Sequence, residues 1–528
     1  MNKRNRLKIL GVSVALTCAA QIVQAQDAEE PKLRLPETVN SYQPAIVPVC
    51  DFDEDYLYFD RKFYFENTGG IRDNDEIWTS RMFGNANSAQ VPSKLPAPIN
   101  TSQSDVLFFI SPDGNYAMFS GQYYENARKT PGYSIAKRER KGKWGTPKSM
   151  KIRQYKNDST IYSATLSPDM KVALLALANE QSAGGMDLFV SFYQADDTWT
   201  VPKNLGTGVN TKYDEVSPFI AANNRTLYFV SNNPNSIGGF DLYMTERLDD
   251  SWTNWSAPKN LGKTFNTPKD DNNIWLTPLG DFAYVVSYDT TAKRQGIYRI
   301  MLPEEFRPSG FAYIRGQAMQ TMRNKTNPIA GRTKIAVFQQ GGDTTFIETS
   351  PSNAEFIIPV DHNGTYCLQM ISEKYTSKTE FVSVEGDKPK VYTQNVFGME
   401  KSEIAQEPRN EIISESLRER RTAILHFDYN LSELSEAESR KLKQIIEENR
   451  DNSQLKFYVS AHTDTLGTEE YNMKLSLERA RTATEFLLKN GISRERIISQ
   501  GFGEAQPLST RREEQAVNRR VEIVVKED

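Results

Sequence analysis

Residues 45–305 carry an internal repeat, and a repeating chain must be built from like units stacked on one another rather than around one irregular core. Trp144-x-x-Pro147, Trp199-x-x-Pro202 and Trp255-x-x-Pro258 recur 55 and 56 residues apart, and the latter two continue as Pro-Lys-Asn-Leu-Gly at 202–206 and 258–262. Asn210-Thr211 and Asn266-Thr267 follow at the same offset, and Gly184-Gly185-Met186-Asp187-Leu188-Phe189 answers Gly238-Gly239-Phe240-Asp241-Leu242-Tyr243. Ser111-Pro112-Asp113 and Ser167-Pro168-Asp169 mark a shared turn, echoed by Thr277-Pro278, with β-rich runs after the turns at 116–120, 172–177, 227–231 and 282–287. Asn100-Thr101 and the run 56–59 suggest a more divergent first unit. Several short strands per unit, punctuated by Gly, Pro and Asp and lacking a helical period, predict an all-β propeller of about five four-stranded blades.

Taken together, these markers resemble the TolB-like, WD-type propeller repeats. The recurring aromatic and Asp residues are most simply the packing and turn chemistry of each unit. Function is then expected in exposed loops that offer a platform to an outer-membrane or periplasmic protein. The run Asp51-Phe52-Asp53-Glu54-Asp55 invites a calcium reading, but no Gly stands at the sixth position and Lys62 occupies the place of the closing Glu. A solvated strand edge is the better reading.

Ahead of the repeats, Lys3, Arg4, Arg6 and Lys8 precede an apolar stretch from 9 to 20 and the small-residue site Val23-Gln24-Ala25. This predicts an export signal over 1–25, with a linker over 26–44. Cys18 raises lipidation as an alternative, though Thr17 before it fits that route poorly. The apolar stretch is too short for a permanent membrane helix, and nothing later approaches the length required. A formal charge of −4 with both signs spread along the chain argues against nucleic acid as a partner. Cys50 and Cys367 lie far apart, and the chain has 3 histidines, so metal and triad chemistry have little material and no cofactor is implied. Two buried unpaired thiols are expected rather than a disulfide.

Past Pro308 the Trp/Pro marker stops and short strands are predicted at 311–317, 333–338, 355–359 and 365–370, a small β-sandwich over 308–398. Ile314-Arg315-Gly316, Pro328-Ile329-Ala330-Gly331, Glu355-Phe356 and Gly364-Thr365-Tyr366 resemble the carboxypeptidase regulatory-like domain. That resemblance implies a docking module and no peptidase. Residues 399–420 turn polar and charged, a linker.

The last segment, 421–528, reads as βαβαββ, an α/β sandwich with helices on one face. Ser435 and Glu438 form a capping box, Leu455, Phe457 and Val459 alternate as a strand, and a second helix runs from Thr468 to a stop at Gly491. Between them lie His462-Thr463-Asp464, Asn472-x-x-Leu475-Ser476-x-x-Arg479-Ala480, Gly501-Phe502-Gly503-Glu504 and Asn518-Arg519-Arg520-Val521. In this order the motifs resemble the C-terminal, peptidoglycan-associating domain of the OmpA family.

The resemblance implies non-covalent binding of the peptide stem of peptidoglycan, chiefly its diaminopimelate residue. Such a ligand presents a carboxylate and an ammonium together, so a site needs a fixed anion and a fixed cation. By the motif match Asp464 accepts the ammonium and Arg479 grips the carboxylate through its planar fork. Asn430, Asn472 and Arg520 line the same pocket, Asn518 lines it or braces the last strand, and His462 orders the loop. Two positions depart from the family pattern: Ala461 replaces a usual Gly, and Leu466 replaces a frequent polar contact.

The favoured function is thus a non-catalytic periplasmic scaffold of the outer membrane that holds peptidoglycan at its C-terminus and a protein partner ahead of it. The combination of domains also resembles envelope proteins of type IX secretion. An envelope hydrolase or lyase is the alternative, but no Gly-x-Ser-x-Gly elbow or zinc spacing supplies its catalytic residues. A porin barrel does not fit the Trp/Pro repeats.

Overall fold

The computed structural model describes residues 32–400 and 422–527 apart from 74, 124–128, 140–141, 162, 323–324, 340–343, 373–374, 378, 505–506 and 510. The expected signal, the lipidation alternative at Cys18 and nearly all of the 399–420 linker lie outside the described residues.

From Lys32 to Met301 the chain forms five separate antiparallel sheets of four or five strands. Four use consecutive strands, as in Ala164–Leu166, Val172–Leu177, Asp187–Phe192 and Lys203–Asn204. The last joins Asn272–Leu276, Phe282–Asp289 and Arg294–Met301 to Lys32–Arg34 from the other end of the region, with Lys32 opposite Ile300. The middle strands are apolar on both faces and fully buried, as Val172–Leu177 and Thr226–Ser231 show, because sheets pack against them from either side.

The repeated polar residues hold each sheet together. Asn210 accepts a bond from the Leu188 N–H at 2.8 Å and donates to the Leu188 carbonyl at 2.9 Å. Asn266 brackets Leu242 in the same way, Asn100 brackets Ile77 and Asn40 brackets Ile297. Glu215 and Asp271 each accept the N–H and hydroxyl of a Thr four residues earlier.

The expected TolB-like, WD-type propeller is corrected here: the sheets are separate and open, and no sheet closes into a propeller. The repeat markers direct turns and brackets within one sheet, and the Gly-Gly-x-Asp marker also bonds the next, the Met186 N–H to Asp214 at 2.9 Å and the Glu215 N–H to the Met186 carbonyl at 2.7 Å. They carry no instruction for closure.

Residues 311–400 form two further sheets. The long strand Phe311–Met322 pairs antiparallel with Glu355–Asp361 and parallel with Val391–Thr393 and Val396–Glu400. Lys334–Gln339 and Gly364–Ile371 centre the other sheet. Ile314 and Phe356 from one sheet meet Ile335, Val337 and Leu368 from the other in a common core. Cys50 and Cys367 are free and buried.

The C-terminal unit contains β1 (Thr422–His426), α1 (Glu436–Asn449), β2 (Leu455–His462), α2 (Glu469–Lys489), β3 (Ile497–Gly501) and β4 (Arg520–Glu527), with sheet order β1-β4-β2-β3. The Ser435 hydroxyl accepts the Glu438 N–H, and the Thr468 hydroxyl accepts the Tyr471 N–H, so both helices start where the sequence places their caps. Leu442, Ile445 and Ile446 of α1 and Ala480, Ala483 and Leu487 of α2 cover the sheet face carrying Phe457, Val459, Val521 and Ile523.

Candidate functional site

Sheet order fixes where polar groups can gather. β2 runs parallel to β3 and antiparallel to β4, which puts His462 opposite Arg520 and Ala461 opposite Gly501. The loop after β1, the loop after β2, the turn after β3 and the approach to β4 therefore meet at one rim, beside the N-terminus of α2. Short side chains and close contacts define that rim. The Phe502 N–H bonds the Ala461 carbonyl at 2.9 Å, and the Thr463 N–H bonds the Gly503 carbonyl at 2.9 Å. Gly503 donates to the Ser476 hydroxyl at 2.9 Å, and its φ of +53° together with the Met473 backbone 3.2 Å from a Cβ position accounts for glycine there.

Arg479 is fully buried on α2. It donates through Nε to the Leu431 carbonyl at 2.9 Å, through Nη1 to the His462 carbonyl at 2.9 Å and through Nη2 to the Asp428 carbonyl at 3.3 Å. Its guanidinium also lies 5.2 Å from the Phe427 ring centroid. One side chain thus ties the loop after β1 to the end of β2. Burial lowers its pKa to about 10, with Asp464 the main influence in the other direction, so it remains a cation at neutral pH.

Asp464, 3% exposed, pairs with Arg519 rather than with Arg479: Arg519 Nη1 lies 3.1 Å from its Oδ2, and the Leu466 N–H lies 3.3 Å from its Oδ1. Arg519 also donates to the Phe427 carbonyl at 3.2 Å. Asn472 is fully buried; its amide nitrogen donates to Glu504, while its Oδ1 has no partner among the described residues. The Thr463 hydroxyl and His462 Nδ1 at the same rim are also buried without a partner among the described residues. His462 stacks on Phe502 at 5.1 Å, and burial followed by the nearby Arg520 charge pushes its pKa down to about 3.

The remaining expected residues are placed differently. Asn430 is exposed, with φ of +60°, in the loop whose carbonyls hold Arg479. Asn518 is fully buried and accepts the Leu508 and Ser509 N–H groups at 2.7 and 3.1 Å, an internal brace. Arg520 donates to Glu522 at 2.6 Å along β4. Gln515, absent from the sequence-derived set, accepts both the N–H and the hydroxyl of Thr465 and so links the loop after β2 to Asn518. Among the described residues no cluster of His, Cys, Asp and Glu suits a metal ion, and no helix is long and apolar enough to cross a membrane.

The OmpA family model matches residues 426–520. Outer membrane protein A of Bordetella avium is 32% identical over 124 residues, covering 23% of this chain and 64% of that protein. The peptidoglycan-associated lipoprotein of Pseudomonas aeruginosa is 31% identical over 113 residues, covering 21% of this chain and 67% of its own length. Among solved structures, the peptidoglycan-associated lipoprotein of Burkholderia pseudomallei aligns at 24% identity and a TM-score of 0.19, over 20% of this chain and 91% of that one. Of these matches, that of the family model lies wholly in the C-terminal unit. The resemblances of 45–305 to TolB-like repeats and of 308–398 to the carboxypeptidase regulatory-like domain gain no support from them and are withdrawn; strand-and-turn patterns of that length recur in any small antiparallel unit.

Proposed function

Because the chain belongs to the OmpA family, we propose that its C-terminal unit holds the peptide stem of peptidoglycan through diaminopimelate at the rim built around Asp464 and Arg479. The protein is a non-catalytic, periplasmic component associated with the outer membrane. The observation that carries the site is the trio of buried, unpartnered groups, the Thr463 hydroxyl, Asn472 Oδ1 and His462 Nδ1, next to a carboxylate and two guanidinium groups. Buried polar atoms without partners are costly in a finished fold, and a polar ligand at the rim relieves that cost.

In this reading the Asp464 carboxylate, which keeps unused lone pairs beside Arg519 and Leu466, takes the ligand ammonium. Arg479, with three of its donors on backbone carbonyls, directs the rest toward the ligand carboxylate, and Arg519 adds a second cation. Asn472 supplies a neutral acceptor, Asn430 lies on the outer lip, and Asn518 and Arg520 brace the wall of the site. Two or three charge-assisted hydrogen bonds of about 1.5–3 kcal/mol each suit a reversible, micromolar-class hold. Repetition along the polymer adds avidity.

Sedimentation of the mature chain with insoluble peptidoglycan tests the site. Wild type is expected in the pellet and folded Asp464→Ala in the supernatant; wild type left in the supernatant would reject the reading. The units ahead of residue 400 are proposed to meet an outer-membrane or periplasmic protein, a type IX secretion component being the first class to test. Crosslinking that recovers no such component would sink that assignment.

A further inference from the structure

β3 is the edge strand of the C-terminal sheet, and an edge strand leaves a row of backbone groups without partners. Here the two-sheet unit of residues 311–400 covers it. Gln369, 1% exposed on the strand Gly364–Ile371, donates through Nε2 to the Gly501 carbonyl at 3.3 Å and accepts from the Gly501 N–H at 3.5 Å. Two residues back along β3, the Ser499 carbonyl accepts the Thr379 hydroxyl. Apolar contact backs these bonds: Ala336, Phe338 and Cys367 form one buried cluster with Leu477 of α2, with Met473 packed against it. Arg494, just ahead of β3, places its guanidinium 3.3 Å from the Phe381 ring centroid and 3.7 Å from Cys367 Sγ.

The covered strand end is also the root of the rim. Gly501 pairs with Ala461, the next residue bonds Ala461 again, and Gly503 holds Thr463 on one side and Ser476 on the other. Glu504, one step further, binds Asn472. A side chain at 501 would strike Ser476 Oγ at 2.7 Å and the Leu477 nitrogen at 2.9 Å, so the position of this backbone is closely constrained from the α2 side. Gln369 constrains it along the sheet edge.

We propose that Gln369 is a positioning residue for peptidoglycan binding: it fixes Gly501, and through the 501–504 turn it sets Thr463 and Asn472 at the rim. This rests on the reading of the rim given above. It makes the neighbouring unit part of the binding apparatus instead of a passive spacer, so that a shift of that unit against β3 loosens the hold on the wall.

The test compares mature wild type with Gln369→Met, which keeps length and apolar bulk but loses both bonds, and with Thr379→Val as a second, milder variant. Affinity for a soluble diaminopimelate-containing tripeptide is measured alongside amide hydrogen exchange. Gln369→Met is expected to weaken the tripeptide by about 3- to 10-fold, and to speed exchange at 501–504 while leaving α1 unchanged. Thr379→Val is expected to do the same to a smaller degree. Wild-type affinity in Gln369→Met, or in Thr379→Val should the first variant not fold, overturns the proposal while the reading of the rim stands. Absence of binding by wild type overturns both.

Discussion

Asn210 in the repeated sheets and Asn472 at the C-terminal rim are both buried amides, yet they are used in opposite ways. Asn210 commits its oxygen to the Leu188 N–H and its nitrogen to the Leu188 carbonyl and to Asn204. Asn472 binds Glu504 through nitrogen and leaves its oxygen without a partner among the described residues. The first kind of residue recurs in four of the five like sheets, as Asn40, Asn100 and Asn266 show beside Asn210. At the rim the second kind stands with the Thr463 hydroxyl and His462 Nδ1, two more buried groups without a partner among the described residues. Repetition in the sequence therefore marks architecture in this protein, and the rim is set apart by three such groups gathered beside Asp464, Arg479 and Arg519.

The sharpest way to break that contrast is to remove Arg479, the rim residue with the most bonds to the backbone and a proposed ligand contact as well. Arg479→Ala takes a donor from each of the carbonyls of Asp428, Leu431 and His462. It is expected to lower the stability of the C-terminal unit by about 3–5 kcal/mol in denaturant unfolding and to abolish retention by peptidoglycan. Loss of retention with stability intact would assign Arg479 to the ligand alone.

A smaller effect is expected from Asn210→Ala, about 2 kcal/mol from the loss of a double backbone bracket. Retention by peptidoglycan should stay at the wild-type level. A fall in retention by the folded variant would show that the repeated sheets contribute to the wall site.

How much of this was legible beforehand follows the range of the interactions. The caps at Ser435 and Thr468 are local, three residues from their partners, and the helices begin where those signals stand. The Asp464–Arg519 pair spans 55 residues and forms where β2 lies beside β4, so the motif match, which names Asp464 and Arg479 as ligand contacts, says nothing of Arg519 as the partner of Asp464. Gln369 lies 132 residues from Gly501 and carries no motif at all. The propeller reading failed at the same limit: strand and turn signals describe a sheet from within and are silent on its closure.

The mildest probe of the rim is pH. The His462 imidazole is held neutral, its pKa pushed down to about 3 from an ordinary 6.5. A depressed histidine gives stability that is complete above the unfolded-state value and is lost as pH falls toward the folded-state value. The C-terminal unit should therefore lose about 1 kcal/mol between pH 6.5 and 5.5, and His462→Gln should flatten that slope. An unchanged slope would place the acid sensitivity elsewhere.

The strand Lys32–Arg34 completes a sheet whose other three strands lie between Asn272 and Met301. A chain that enters the periplasm N-terminus first must keep that strand unpaired until residue 300 has followed it. Closing so long a loop makes this pairing a late event in folding. Until then the edge of Arg294–Met301 that Lys32–Arg34 covers is open to strands of other molecules.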